Sequence, residues 1–117
     1  MKDTITYDDF VKLDLRVGRV IAASAPDWSP KLLEMKVDFG PEIGEKTILS
    51  GIRKWYTPED LSGNNYPFAV NLAERKMGQG VSQGMMIMAD PEATETTEAR
   101  PVIFPLPTEI APGTVIR

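Results

Sequence analysis

The side chains that most often carry chemistry are missing from this chain. It has no Cys and no His, which removes thiol nucleophiles, imidazole bases, disulfides and nearly all zinc chemistry at once. What remains is carboxylates, Lys, Tyr and Ser, and no carboxylate pair or nucleophile–base pair stands out. The one glycine-rich stretch, Gly78-Gln-Gly80-Val-Ser-Gln-Gly84, fails as a nucleotide loop. Its third glycine comes one position late for G-x-G-x-x-G, a strand rather than a helix follows it, and there is no Gly-Lys-Ser/Thr. It reads as a flexible loop before the last strand, whose amides and Ser82 hydroxyl can meet phosphate. The sequence therefore points to a binding protein, without enzymatic activity, cofactor or metal.

Two basic pairs fit that reading. Arg53-Lys54 adjoins Trp55-Tyr56, and Arg75-Lys76 follows Asn71 and precedes the glycine loop. Cations beside rings and amides suit nucleic acid, since the charges hold phosphates while rings or amides meet bases. Tyr56 is expected to pack on the following helix; Trp55 is equally suited to packing or contact. Trp28, in a proline-bounded loop, can stack on a base, anchor a partner or cap the fold. Met85, Met86 and Met88 read first as core, with one set available as an adaptable apolar surface.

These groups must be positioned by short strands. Leu13–Val17 places apolar residues at odd positions and the phase flips after Gly18, so a bend or bulge is expected at that glycine. Leu33–Phe39 alternates cleanly, as a half-buried antiparallel strand does. Gly40–Gly44 is a turn cluster leading to a third strand near Lys46–Ile52. Thr57-Pro58-Glu59-Asp60-Leu61 starts a helix, with a hydroxyl N-cap, Pro at the first helical position and acids in the first turn. Phe68–Leu72 reads as a fourth strand and Met85–Ala89 as a fifth, apolar on both faces and hence central. Thr6–Phe10 suggests a short N-terminal helix. The proline-rich tail from Arg100 reads as edge strands and turns. Five strands, the first bent and with a helix between the third and fourth, are the order of an OB-fold barrel, an all-β fold that commonly binds oligonucleotides.

At 117 residues the chain is expected to form one domain over 1–117. Its composition, 42% hydrophobic and 26% charged, is ordinary for a globular protein. No apolar run approaches the roughly 20 residues of a membrane span, and the first residues lack a signal-peptide core, so a cytoplasmic protein is expected. Net charge is −4, against indiscriminate binding of polyanions. The charge is uneven, though: Lys46–Met86 holds five bases and three acids, and Asp90–Glu98 four acids and no base.

Read together, Phe10-Val-Lys-Leu-Asp-Leu-Arg-Val-Gly18, Lys31-Leu32, Val37–Gly40, Ser50-Gly-Ile52, Tyr56–Leu61, Asn71-Leu72, Arg75-Lys76 and Ser82-Gln-Gly-Met85 fall in an order that resembles the tRNA-binding domain family. That family includes the C-terminal domain of methionyl-tRNA synthetase, free-standing tRNA-binding proteins and the cytokine-like domains of synthetase-associated factors. The resemblance runs from about Tyr7 to the end. It implies an OB barrel with added N- and C-terminal segments, in free-standing members a homodimer, that recognises tRNA shape. The positions it assigns to tRNA contact are Lys31, Asn71, Arg75, Lys76, Ser82 and Met85; charge adds Arg53 and Lys54. The Ala25–Pro30 loop and Asp38–Gly44 are more similar to the CsaA-type export-chaperone branch, for which the ligand is unfolded polypeptide. A third role is docking on an aminoacyl-tRNA synthetase to deliver tRNA.

Overall fold

A computed structural model describes residues 1–117, and one long strand organises it. That strand, β1 (Leu15–Ser24), pairs antiparallel with β2 (Leu33–Asp38) over its second half and with β4 (Asn65–Ala69) over its first. β3 (Glu45–Ser50) continues the sheet beyond β2, and β7 (Met85–Met86) beyond β4, giving the order β3-β2-β1-β4-β7. A C-terminal strand, β10 (Val115–Ile116), pairs with Leu15 and Arg16, filling the length of β1 that β2 leaves open. The sheet curls into a nearly closed five-stranded barrel around Val20, Leu33, Met35, Val37, Phe39, Ile48, Ile52, Leu61, Tyr66, Phe68, Val70 and Met86.

The bend in β1 does not fall at the glycine. Register shifts between Val20 and Ala22, two residues later. Gly18 serves close approach instead: a Cβ there would stand 2.5 Å from Val37 Cγ1, 2.6 Å from Phe39 Cε1 and 2.8 Å from Phe68 Cδ1. The two rings meet edge to face at 5.2 Å between centroids. The phase flip in the sequence has a different cause. Gly18 and Val20 face the barrel interior, whereas Val17 is buried by the C-terminal tail, its amide donating to Thr114 O and its carbonyl accepting from Gly113 N. Both faces of β1 are covered at this point, so both read as apolar.

Other expectations need moving. The fourth strand begins at Asn65 rather than Phe68, because Asn65 is fully buried and holds the tail: its Nδ2 donates to Pro107 O and Ile110 O, and its Oδ1 accepts from Arg19 Nε. The fifth strand is at the sheet's edge, not its centre. It splits into β7, paired with β4, and β8 (Met88–Ala89), paired with β9 (Val102–Ile103) of the tail. Gly78–Gly84 is not a flexible loop: β5 (Arg75–Met77) and β6 (Gly80–Ser82) form a hairpin with Gly78 at φ 61°. Helices stay short: α1 (Tyr7–Phe10), α2 (Gly40–Ile43) where a turn was expected, and α3 (Pro58–Leu61). Thr57 caps α3 as its sequence requires, its hydroxyl accepting from Asp60 N while the Asp60 carboxylate accepts from Thr57 N.

Because the space at Gly18 is filled by one aliphatic and two aromatic side chains, Gly18→Ala forces the core apart. We expect a loss of about 1–3 kcal/mol of stability, the usual cost of overpacking, read from the midpoint of urea unfolding. An unchanged midpoint would contradict this packing.

Candidate nucleic-acid interface

The open sheet order leaves β3 and β7 as edges, and side chains finish the join. Ser82 Oγ accepts from Leu49 N at 3.0 Å and donates to Gly84 O at 2.8 Å; Gln83 Oε1 accepts from Thr47 N at 2.9 Å, and Gln83 N donates to Thr47 O at 2.8 Å. One hydroxyl and one amide thus do the work of a missing strand. Gly84 makes this approach feasible, since a Cβ there would stand 2.7 Å from Ala69 O. Ser82, expected to meet phosphate, is 3% exposed and occupied in both directions.

The same join forms one wall of a groove of about 700 Å³. Leu49, Ser50 and Gly51 line one side, and Leu72, Arg75 and Met77, with Met85 and Met88, line the rest. Met85 is half exposed, and the pattern that made the fifth strand look central follows: Met86 faces the core and Met85 the groove. Arg75 and Met77 alternate with Lys76 along β5, so Arg75 lines the groove and Lys76 does not. The chain is still in strand conformation at this pair, so the two side chains point to opposite faces of β5. Both side chains are exposed, and neither has an ion-pair or hydrogen-bond partner.

The remaining candidates divide. Lys31 is exposed and its ammonium is unpaired; its carbonyl accepts from Arg53 N. Arg53 itself is half-buried and holds the Trp28 loop, with Nη1 donating to Pro26 O at 3.0 Å and to Ser29 O. Trp28 in turn lies on the hairpin glycines: a Cβ at Gly78 would stand 2.7 Å from its ring and one at Gly80 3.0 Å. Its role is to cap. Lys54 is paired with Glu98 and lies 5.6 Å from the Trp55 ring centroid. Tyr56 packs as expected and also donates to Pro101 O at 2.6 Å. Asn71 spends its amide on the N-terminal segment, accepting from Asp14 N at 2.8 Å and donating to Lys12 O at 2.7 Å. Arg16 is likewise structural, bound to Asp14, Glu42 and Gly113 O, and its hydrogen bond with Asp14 raises the guanidinium pKa. No group of three acidic side chains is gathered as for a metal ion.

The family model described as "Putative tRNA binding domain" matches residues 15–115. The chain belongs to that family. A methionine–tRNA ligase of Xylella fastidiosa (strain M12) is 51% identical over 87 residues, 74% of this chain but 12% of the ligase, so the chain spans about an eighth of that relative. A methionyl-tRNA-synthetase-related protein from Pyrococcus horikoshii superposes with TM-score 0.86 at 34% identity, covering 99% of this chain and all of the other. The CsaA chaperone from Bacillus anthracis str. Ames superposes with TM-score 0.82 at 30% identity over 98% of this chain and all of the other.

Within this tRNA-binding domain, sequence reasoning missed Gln83, Leu72, Met77 and Asp90. Nothing local marks Gln83, whose partner Thr47 lies 36 residues away. The sequence pattern puts Leu72 in the fourth strand, which ends at Ala69, and Met77 carries a signal as an apolar residue directly after the basic pair. Ser82→Ala leaves the Leu49 amide unpaired in a buried setting, so we expect a loss of about 1–3 kcal/mol of stability. Urea unfolding measures it, and a stability loss below about 0.5 kcal/mol would rule out this closure role.

Proposed function

We propose that this chain is a non-catalytic tRNA-binding module that reads tRNA through the face formed by the β5–β6 hairpin, the Trp28 loop and the groove. One observation carries the reading: Arg75 stands unpaired on the wall of a half-apolar groove, on a hairpin against which Trp28 packs, with Lys76 unpaired on the other face of the same strand. Lys31 adds a third free cation from the loop that packs on the same hairpin. Phosphates would be held by these three; the groove residue Met85 would meet sugar or base surface. Ser82, Asn71 and Arg53 act by holding that face together, and Lys54 contributes only once Glu98 releases it. The likeness to methionine–tRNA ligases and to a synthetase-related protein supports the reading, and the proposal extends to a cytoplasmic module that docks on an aminoacyl-tRNA synthetase.

A homodimer completes the proposal. Ile5, Tyr7, Phe10, Val11 and Leu13 at the N-terminus, with Val102, Phe104 and Val115 in the tail, are large apolar side chains left exposed in the single chain. Leu13 and Val115 flank the β1–β10 pairing, in which Leu15 and Arg16 meet Ile116 and Val115 and Val17 bonds to Gly113 and Thr114. Exposed apolar area of that extent marks an interaction surface. Sedimentation at micromolar concentration is expected to give twice the chain mass, and Phe10→Glu to shift it toward monomer.

A second reading, a chaperone groove for unfolded polypeptide, is favoured by the apolar lining and by the likeness to CsaA. Salt dependence separates the two. With the three proposed contact cations per protomer, six in a dimer, log K for total tRNA should fall against log salt with a slope of about −4 to −5. Arg75→Ala should weaken tRNA binding by about 1–2 kcal/mol, as for a charge-assisted hydrogen bond, and Lys76→Ala by less. A flat salt response, with tight binding of an unfolded polypeptide, would replace the tRNA reading by the chaperone one.

A further inference from the structure

The groove holds more than a charge. Its floor and one wall are soft and apolar, from Leu72, Met77, Met85 and Met88, and two ionic side chains open onto it: Arg75 from β5 and Asp90 directly after β8. Both are exposed, and they make no ion pair with each other or with any other residue. A volume of about 700 Å³ lies within the range of small-molecule clefts, about 300–1,000 Å³. That suits one or two nucleotides and excludes a duplex. We infer that this groove seats a single unstacked nucleobase of a bound RNA, with the adjoining phosphate on Arg75 and the base's amino edge on Asp90; the inference rests on the tRNA reading above.

Charge complementarity selects this occupant. A nucleotide carries in sequence a negative phosphate, a flat polarisable ring and a hydrogen-bonding edge, which match a cation, a thioether-lined surface and a carboxylate acceptor. Thioethers contact aromatic faces favourably, and sequence-specific RNA recognition relies on such splayed bases. A wholly apolar peptide segment would cover the same methionines while leaving Arg75 and Asp90 facing it without partners, at a desolvation cost. Asp90 is the discriminating group. An ionised carboxylate only accepts hydrogen bonds, so it favours a base that donates at that edge, as cytosine does through its N4 amino group. Uracil presents a carbonyl oxygen in the same place and is repelled. An acid here, on a face meant for a polyanion, otherwise only weakens binding.

The test uses the full-length protein with its methionine methyl groups labelled with ¹³C, titrated separately with total tRNA, hexacytidylate, hexauridylate and an unfolded polypeptide. The groove signals of Met77, Met85 and Met88 are expected to move with tRNA and with hexacytidylate, while Met35, fully buried in the core, stays fixed. Hexacytidylate should bind at least 5-fold tighter than hexauridylate. Asp90→Asn should bring that ratio below 2-fold, and Met85→Ala should weaken hexacytidylate binding about 10-fold with unchanged urea unfolding. If tRNA binds with its expected salt slope but the groove methionines stay still, or the two hexamers bind equally, the base seat is wrong and the tRNA reading stands. If tRNA fails to bind while unfolded polypeptide moves the same methyl signals, both are overturned.

Discussion

Everything on the functional face depends on the join at the β3 edge. A curled sheet in the order β3-β2-β1-β4-β7 leaves the Thr47 and Leu49 amides without a strand partner, and burying them unpaired would cost about 1–3 kcal/mol each. A full sixth strand would satisfy them but would also fill the space where the groove lies. Ser82 and Gln83 solve both problems by reaching the amides with side chains, so the chain can turn away into a hairpin on one side and into β7 on the other. The hairpin then carries Arg75 and Met77 to one wall, and Met85 emerges three residues after Ser82 on another. Closure and groove are one construction, which ties the stability of this barrel to the shape of its binding face.

This accounts for how the candidate residues divide. Arg53, Asn71 and Ser82 have the chemistry of phosphate ligands, yet Asn71 and Ser82 spend their polar atoms, and Arg53 its Nη1, on main-chain groups of their own fold. In this fold they fix a loop, a terminal segment and a barrel seam. The Asp14-Leu-Arg-Val-Gly18 run is similar: Arg16 ties β1 to α2 and the tail, and Gly18 lets three core side chains close over it. Of the candidate residues, those with no partner in the fold are Lys31, Arg75 and Lys76, together with the exposed Met85 of the groove. A motif read as a binding signature is thus largely a description of how its binding surface is held.

How far the sequence could be read follows from the range of each interaction. The alternation of Leu33–Asp38 and the cap of α3 are local and appear where the residues put them. So does the barrel, because strand number and order need only local periods. Gly18 misled, since its reason lies in Val37, Phe39 and Phe68, which no window around it contains. Met85–Ala89 misled for a physical reason of another kind: a strand with one face on the core and the other on an apolar groove has the composition of a central strand. Trp28 and Tyr56 were settled only by contact with glycines and a tail carbonyl distant in the chain.

The electrostatics then set the terms of recognition. The protein carries a net charge of −4, and its acidic stretch from Asp90 to Glu98 runs from the groove's edge to Lys54, where Glu98 is already paired. Such a molecule has no long-range field to gather polyanions indiscriminately. On the proposed reading, a bound RNA places a few phosphates on Lys31, Arg75 and Lys76 while keeping the rest away from the acidic stretch. A flexible strand can rearrange to evade that stretch only at an entropic cost, whereas a folded RNA presents its phosphates at fixed spacing. Sparse cations on a rigid hairpin, next to a repelling arm, therefore favour a ligand of fixed shape over one of high charge, and the acidity of the chain becomes part of its selectivity.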